Sequence, residues 1–228
     1  MTTRKGEETK ARIVEAALDL FRERGYEETT MRAVAERAGV SQGNAYYYFK
    51  GKEYLLQAYY HRMQEDHIEA AQRVLDTETD LHARLLGVLN SKLEVIEPYH
   101  RFSGLLFRQA ADPKSPLNPF NDQSAEARQE GINMYAQVLE GAKIKIPADI
   151  APHLPGLMWT YSMGIVLFWL HDDSEGRQRT HALAEQTCDL VVKVIKLLSN
   201  PLLRPLRKSA LRVLESIQVQ LKPTPTDP

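Results

Sequence analysis

Proline divides this chain more sharply than any other residue. None occurs before Pro98, while Pro113, Pro116 and Pro119 cluster, as do Pro147, Pro152 and Pro155 and then Pro201 and Pro205. Proline lacks the backbone donor and clashes inside a helix, so each cluster marks a loop or a first helical turn. The long segments between are free to be helical, and their spacing says that they are. Ile13, Ala16, Ala17, Leu20 and Phe21 fall at offsets of 0, 3, 4, 7 and 8, which is one face of a helix. No alternating β-branched run bounded by Asn-Gly or Asp-Gly turns competes with that pattern. The predicted fold class is all-α.

The first helix should stop near Gly25, a residue suited to the position after a helix end. Short helices follow near Met31–Ala38 and Gln42–Phe49, then a long one near Lys52–Leu75. Later helices are expected near Asp80–Glu97, His100–Gln109, Gln123–Gly141, Pro152–His171, Gly176–Leu198 and Leu202–Leu221. This gives a three-helix helix-turn-helix domain over residues 1–51, a larger helical domain over 52–222 and a frayed Pro- and Thr-rich tail over 223–228.

Composition narrows the function classes. Hydrophobic residues make up 43% and charged residues 26%, which is globular rather than disordered. The single cysteine, Cys188, excludes an internal disulfide framework and a Cys-cluster zinc site. The longest uncharged apolar stretch, Leu157–Leu170, is too short for a comfortable membrane span, and no signal peptide opens the chain. A cytoplasmic protein with no membrane partner is expected. With 29 basic against 30 acidic side chains, the whole chain offers no attraction to nucleic acid, so any such footprint must be local.

That footprint lies between Thr29 and Leu56. Met31, Val34, Ala35 and Ala38 form the apolar stripe of one short helix, and Gly39 sits where a tight interhelical turn needs a positive φ. Val40 plugs the turn, and Ser41 is a good N-cap for the next helix. The pattern is a helix-turn-helix, whose second helix enters the DNA major groove by its N-terminal end. Gln42 and Asn44 can pair bidentately with adenine, and Gly43 between them lets the backbone approach closely. Tyr46, Tyr47 and Tyr48 offer hydroxyls to phosphates and ring faces to thymine methyls. Three consecutive residues show three faces, so packing claims part of this set, as it does Phe49. Lys50 and Lys52 add positive charge, and no acidic residue lies between Ser41 and Lys52.

These residues resemble the DNA-binding domain of the TetR family of bacterial transcriptional regulators. The family's signature runs from a Thr through Ala-x-x-Ala-Gly-Val-Ser to a Tyr-x-(His/Tyr)-Phe-x-x-Lys-Glu-x-Leu ending. Here it is met by Thr30, Ala35–Ser41, Tyr46, Tyr48, Phe49, Lys52, Glu53 and Leu55. The resemblance implies DNA contacts at Thr30, Ser41, Gln42, Gly43, Asn44, Tyr46, Tyr47, Tyr48 and Lys52. Tyr48 stands where many members have His, which keeps a phosphate donor but not a pH-sensitive one. Gln42 stands where Lys is frequent, which lowers phosphate attraction and shifts base preference. The resemblance further implies a homodimer on a near-palindromic double-stranded operator, most often as a repressor, released by a small effector.

Beyond Lys52 no motif is comparably sharp. The Gly156–Leu170 segment is apolar almost all round, which predicts a helix buried on several sides. No charged side chain lies between Ile150 and Leu170, which favours a hydrophobic or amphipathic effector over a polyanion. The expected pocket residues are Phe102, Phe107, Met158, Tyr161, Ser162, Ile165, Phe168 and Trp169. The next helix carries Leu183, Thr187, Leu190, Val191, Val194, Ile195 and Leu198 along one stripe, the expected dimer interface. Core packing explains the same stripe equally well. Cys188 beside it reads as a small apolar residue. His61 and Glu65 at i, i+4 lack a third metal ligand, and no Ser-centred elbow, Gly-rich phosphate loop or HExxH occurs. No catalytic residue, metal or cofactor is therefore expected. Two alternatives stay open from the residues: an activator or DNA-organising protein without effector, and a helical enzyme using the apolar cavity.

Overall fold

The computed structural model describes residues 4–113, 115 and 118–217, and within them the side chains of all but residues 101, 102, 105, 106, 108, 109, 123 and 215–217. Ten α-helices and no strand occur among the described residues. They are α1 (Arg4–Arg24), α2 (Met31–Arg37), α3 (Gln42–Tyr48), α4 (Lys52–Thr77) and α5 (Leu81–Ile96). After them come α6 (His100–Ala111), α7 (Ala125–Glu140), α8 (Leu154–Leu170), α9 (Gln178–Leu198) and α10 (Arg204–Ile217). Each predicted helix is present, and α7, α8, α9 and α10 start two residues later than predicted, each after a short 3-10 turn. The expected tail over 223–228, and the last residues predicted for α10, lie outside the described residues. Among the described residues, no helix is long and apolar enough to cross a membrane.

Contacts divide the chain into two compact units, Met1–Asp66 with Val95–Ser124, and His67–Glu94 with Ala125–Pro228. The first unit closes around the predicted face of α1: Ile13, Ala17, Leu20 and Phe21 are buried against Met31, Val34 and Ala35 of α2 and Ala45 of α3. Phe49 and, from α4, Leu55, Leu56 and Tyr59 complete this core. The second unit packs α7 on α8 and α8 on α9. Its core includes Leu85, Val88 and Leu89 of α5, Tyr135 and Val138 of α7, Met158 and Trp159 of α8, and Cys188, Val192 and Ile195 of α9.

One buried cation organises the second unit. The Arg84 guanidinium donates to the carbonyls of Leu75 at 2.8 Å, Val138 at 3.0 Å and Gln137 at 2.7 Å, and also to that of Glu78. Carbonyls in the last turns of α4 and α7 are left free by the helix pattern, and a fixed cation satisfies them where water cannot reach. Arg84 is 4% exposed, so its charge is dispersed over these dipoles rather than paired with a carboxylate.

Candidate nucleic-acid interface

Thr30 and Ser41 set the two helices of the turn. The Thr30 hydroxyl accepts from the Ala33 N–H at 3.2 Å, and the Ser41 hydroxyl accepts from the Asn44 N–H at 3.1 Å. Both residues hold extended backbone, so each fills the N-cap role for α2 and α3. Between the helices Gly39 has φ +65, a left-handed conformation that a side chain would resist. Val40, half-buried, packs on the core beneath. Arg37 fixes α2 from outside by a two-bond pairing with Glu23 of α1, at 2.8 and 2.7 Å.

The result is a helix with one side anchored and one side bare. Ala45 and Phe49 are buried, and Tyr48 packs on the core edge-on to Tyr47, with ring centroids 5.2 Å apart. Gln42, Gly43, Asn44, Tyr46 and Tyr47 are exposed, and Tyr47 is 81% so. Of the three tyrosines, Tyr48 is the one that packing claims. The bare surface therefore carries amide, backbone and phenol groups with no acidic neighbour from its own helix, the inventory that reads base edges and phosphates.

Lys52 is engaged differently from the expectation for a free phosphate contact. Its ammonium donates to the Tyr26 carbonyl at 2.9 Å and the Glu27 carbonyl at 3.3 Å, and it lies 4.4 Å from the centre of the Tyr26 ring. It ties the start of α4 to the loop after α1. The neighbouring Lys50 is exposed. Sequence reasoning missed this anchoring role because Tyr26 is remote in the chain and nothing local marks the pair.

In the second unit, α8 has two distinct sides. Met158, Ser162, Ile165 and Trp169 are buried, as expected for residues facing inward. Phe168 is not: it is 41% exposed and shares the outer face with Leu157, Thr160, Gly164 and Leu167. The three- and four-residue spacing of that outer row places Phe168 there, so it leaves the pocket set. Phe107, in the first unit, is 39% exposed and leaves it too. The side chain of Phe102 lies outside those described. Tyr161 is half-buried and shares a hydrogen bond with the Thr187 hydroxyl of α9.

The α9 stripe is likewise split. Ile195 is buried in the core with Ala184, Cys188 and Val192, and Val191 packs partly against that core. Ile195 is thus a core residue of the protomer and not part of an outer surface, because the helix turns its smaller residues, Ala184 and Cys188, inward. Leu190 and Val194 are exposed, together with Leu197, which the stripe did not include. Leu183, Thr187 and Leu198 are half-buried along the same side. Burial raises the Cys188 thiol to about 11, against a weaker opposing hydrogen bond from Tyr161, which keeps it an unreactive apolar filler at neutral pH. His61 and Glu65 are both exposed, and no group of three metal-ligating side chains occurs among the described residues.

Comparison with known proteins places both units. Residues 13–59 match the family model for bacterial regulatory proteins of the tetR family, and residues 84–210 match that for the tetracyclin repressor-like C-terminal domain. The chain is 29% identical over 185 residues to the transcriptional regulator TtgR of Pseudomonas putida, covering 74% of this chain and 83% of that protein. It is 27% identical over 128 residues to the transcriptional repressor KstR2 of Mycolicibacterium smegmatis, covering 56% of this chain and 62% of that one. A TetR-family regulator from Streptomyces coelicolor superposes with a TM-score of 0.64 at 20% identity, covering 92% of this chain and 89% of its own. The regulator FadR of Bacillus subtilis, solved with stearoyl-CoA, superposes at 0.58 and 19% identity, covering 80% of this chain and 97% of its own. A capped, glycine-turned helix pair with a bare polar-aromatic second helix, followed by a matching C-terminal domain, makes this chain a member of the TetR family: a DNA-binding transcriptional regulator and not an enzyme.

Proposed function

We propose that the protein is a homodimeric repressor that grips a near-palindromic operator with α3 and releases it on binding a small hydrophobic or amphipathic effector. The observation that carries the dimer is the bare apolar side of α8 and α9. Leu157, Leu167 and Phe168 on one helix and Leu190, Val194 and Leu197 on the other are each 38% exposed or more. A water-facing apolar surface of this kind marks a partner surface. A second copy is the economical partner, because one recognition helix contacts few base pairs and a twofold axis doubles the reading. Gln42, Gly43, Asn44, Tyr46 and Tyr47 are the proposed operator contacts, with Thr30, Ser41, Tyr48 and Lys52 holding the frame they stand on.

The effector reading is supported by the inward face of α8, where Met158, Ile165 and Trp169 are buried with Ser162, whose hydroxyl donates to the Trp159 carbonyl at 2.7 Å. It is also supported by FadR, whose bound stearoyl-CoA is itself an amphiphile. Introducing Glu at both Leu190 and Val194 should desolvate charge at the proposed interface and give folded monomers with poor operator binding. Sedimentation and operator titration measure the two together. An intact dimer in the double variant moves the interface off α9.

A further inference from the structure

Between Thr29 and Lys52 the chain carries four cations, Arg32, Arg37, Lys50 and Lys52, and the fold engages two of them. Arg37 gives its guanidinium to Glu23 in two bonds, at 2.8 and 2.7 Å. An arginine held by both prongs on a carboxylate has its charge neutralised where it stands. Lys52 donates to the Tyr26 carbonyl at 2.9 Å and the Glu27 carbonyl at 3.3 Å, with the Tyr26 ring centre 4.4 Å from its ammonium. It is half-buried, so a phosphate could take it only by stripping away those three partners.

Arg32 and Lys50 are left. Both are exposed, and neither side chain has a hydrogen bond or ion pair among the described residues. Arg32 stands on α2, the helix that crosses the sugar–phosphate backbone in a helix-turn-helix complex. Lys50 follows Phe49, the residue that ends α3. The cations of α1 offer no such surplus: six basic side chains share that helix with five acidic ones, and Arg4 and Arg22 are paired within it.

We propose that Arg32 and Lys50 are this regulator's phosphate-binding cations, one before and one after the reading helix, and that Lys52 is a positioning residue whose ammonium touches no phosphate. The assignment rests on the reading of α3 as the operator-contacting helix and adds to it the source of the electrostatic affinity. Counterion release makes such contacts countable, because each phosphate neutralised contributes about −0.9 to the slope of log K against log salt. Two cations on each protomer of a dimer give a slope of about −3.6, whereas a third at Lys52 would give about −5.4.

Anisotropy titrations between about 50 and 200 mM salt measure the slope for wild type, Arg32→Gln, Lys50→Gln and Lys52→Met. Each protein meets the DNA flanking the gene and a scrambled duplex. Arg32→Gln and Lys50→Gln should each make the slope shallower by about 1.8 on both duplexes and leave the preference between them intact. Lys52→Met should weaken binding by one factor at every salt concentration and keep the wild-type slope. A wild-type slope near −5.4 that Lys52→Met makes shallower overturns the assignment. So does a slope that either Arg32→Gln or Lys50→Gln leaves unchanged, and this result decides the matter even if Lys52→Met fails to fold. A loss of about 0.9 rather than 1.8 for each variant keeps both contacts and removes the second copy. Equal wild-type affinity for the two duplexes, with the slopes as expected, keeps the cations and removes the operator reading. A wild type that binds neither duplex removes both.

Discussion

A Cβ placed on Gly43 would meet no atom within 4 Å, and the residue sits in a helix with ordinary φ. The protein's own packing therefore has no use for glycine there, and helix propensity argues against it. A surface that must let DNA come close to the backbone does have a use for it. Gly43→Ala should raise stability by about 0.5–1 kcal/mol while weakening operator binding. Denaturant titration and fluorescence anisotropy measure the two effects, and unchanged affinity would show that no close approach occurs. The bare face of α3 was legible because its signal is local: a cap, a turn glycine and a short helix. Lys52 was only half legible, since its carbonyl partners on Tyr26 and Glu27 are brought near by the fold alone.

Among the elements, helix existence could be read from spacing, whereas helix phase could not. The α9 stripe was wide enough to face two ways, and the inward flank is set by Ala184 and Cys188, which let α8 come near.

The start of α9 shows a different device. Arg177 at its N-cap has φ 54 and makes no side-chain cap bond. Asp172 supplies the cap from the preceding loop. One carboxylate oxygen accepts from the Thr180 N–H and hydroxyl at 2.9 and 2.7 Å, and the other from the Ser174 N–H and hydroxyl at 2.9 and 2.6 Å. Burial alone would raise its pKa, but these bonds outweigh burial and hold the carboxyl well below the usual range. A lowered pKa stabilises the fold above the unfolded value of about 3.9, and that contribution disappears as pH falls from there through the folded value. Asp172→Asn should therefore cost about 1–2 kcal/mol at neutral pH, and the gap from wild type should narrow below about pH 4. Thermal melts from pH 7 to pH 3 measure it, and a gap constant across that range would rule out the ionised cap.

At the scale of the whole molecule, the division into units was the least legible feature. The helix α4 runs without a break through Asp66 and His67, where one unit ends and the next begins, and its composition does not change there. Residues 95–124 join the DNA-binding helices although they follow α5 in sequence, a grouping that depends on contacts such as Tyr59 with Tyr99, whose rings lie 4.9 Å apart. The chain thus passes between the units along α4 and twice more near residues 94 and 124, three covalent connections along which the effector proposed above would bias the first unit. Bias requires differential affinity: a ligand must bind the DNA-incompetent state about 100-fold more tightly to contribute roughly 2.7 kcal/mol to release.

All of this presupposes that the bare face of α3 reads DNA, and one titration tests that directly. Wild type and the Gln42→Ala/Asn44→Ala variant are measured by anisotropy against the DNA flanking the gene and against a scrambled duplex, at the same salt, with circular dichroism confirming the fold. The wild type should bind the flanking DNA at least about 10³-fold more tightly than the scramble. Each lost amide contact should cost about 1–3 kcal/mol. The variant should therefore lose most of that preference while keeping its affinity for the scramble. A folded variant that still prefers the flanking DNA as strongly as wild type would contradict the assignment of α3 as the reading helix.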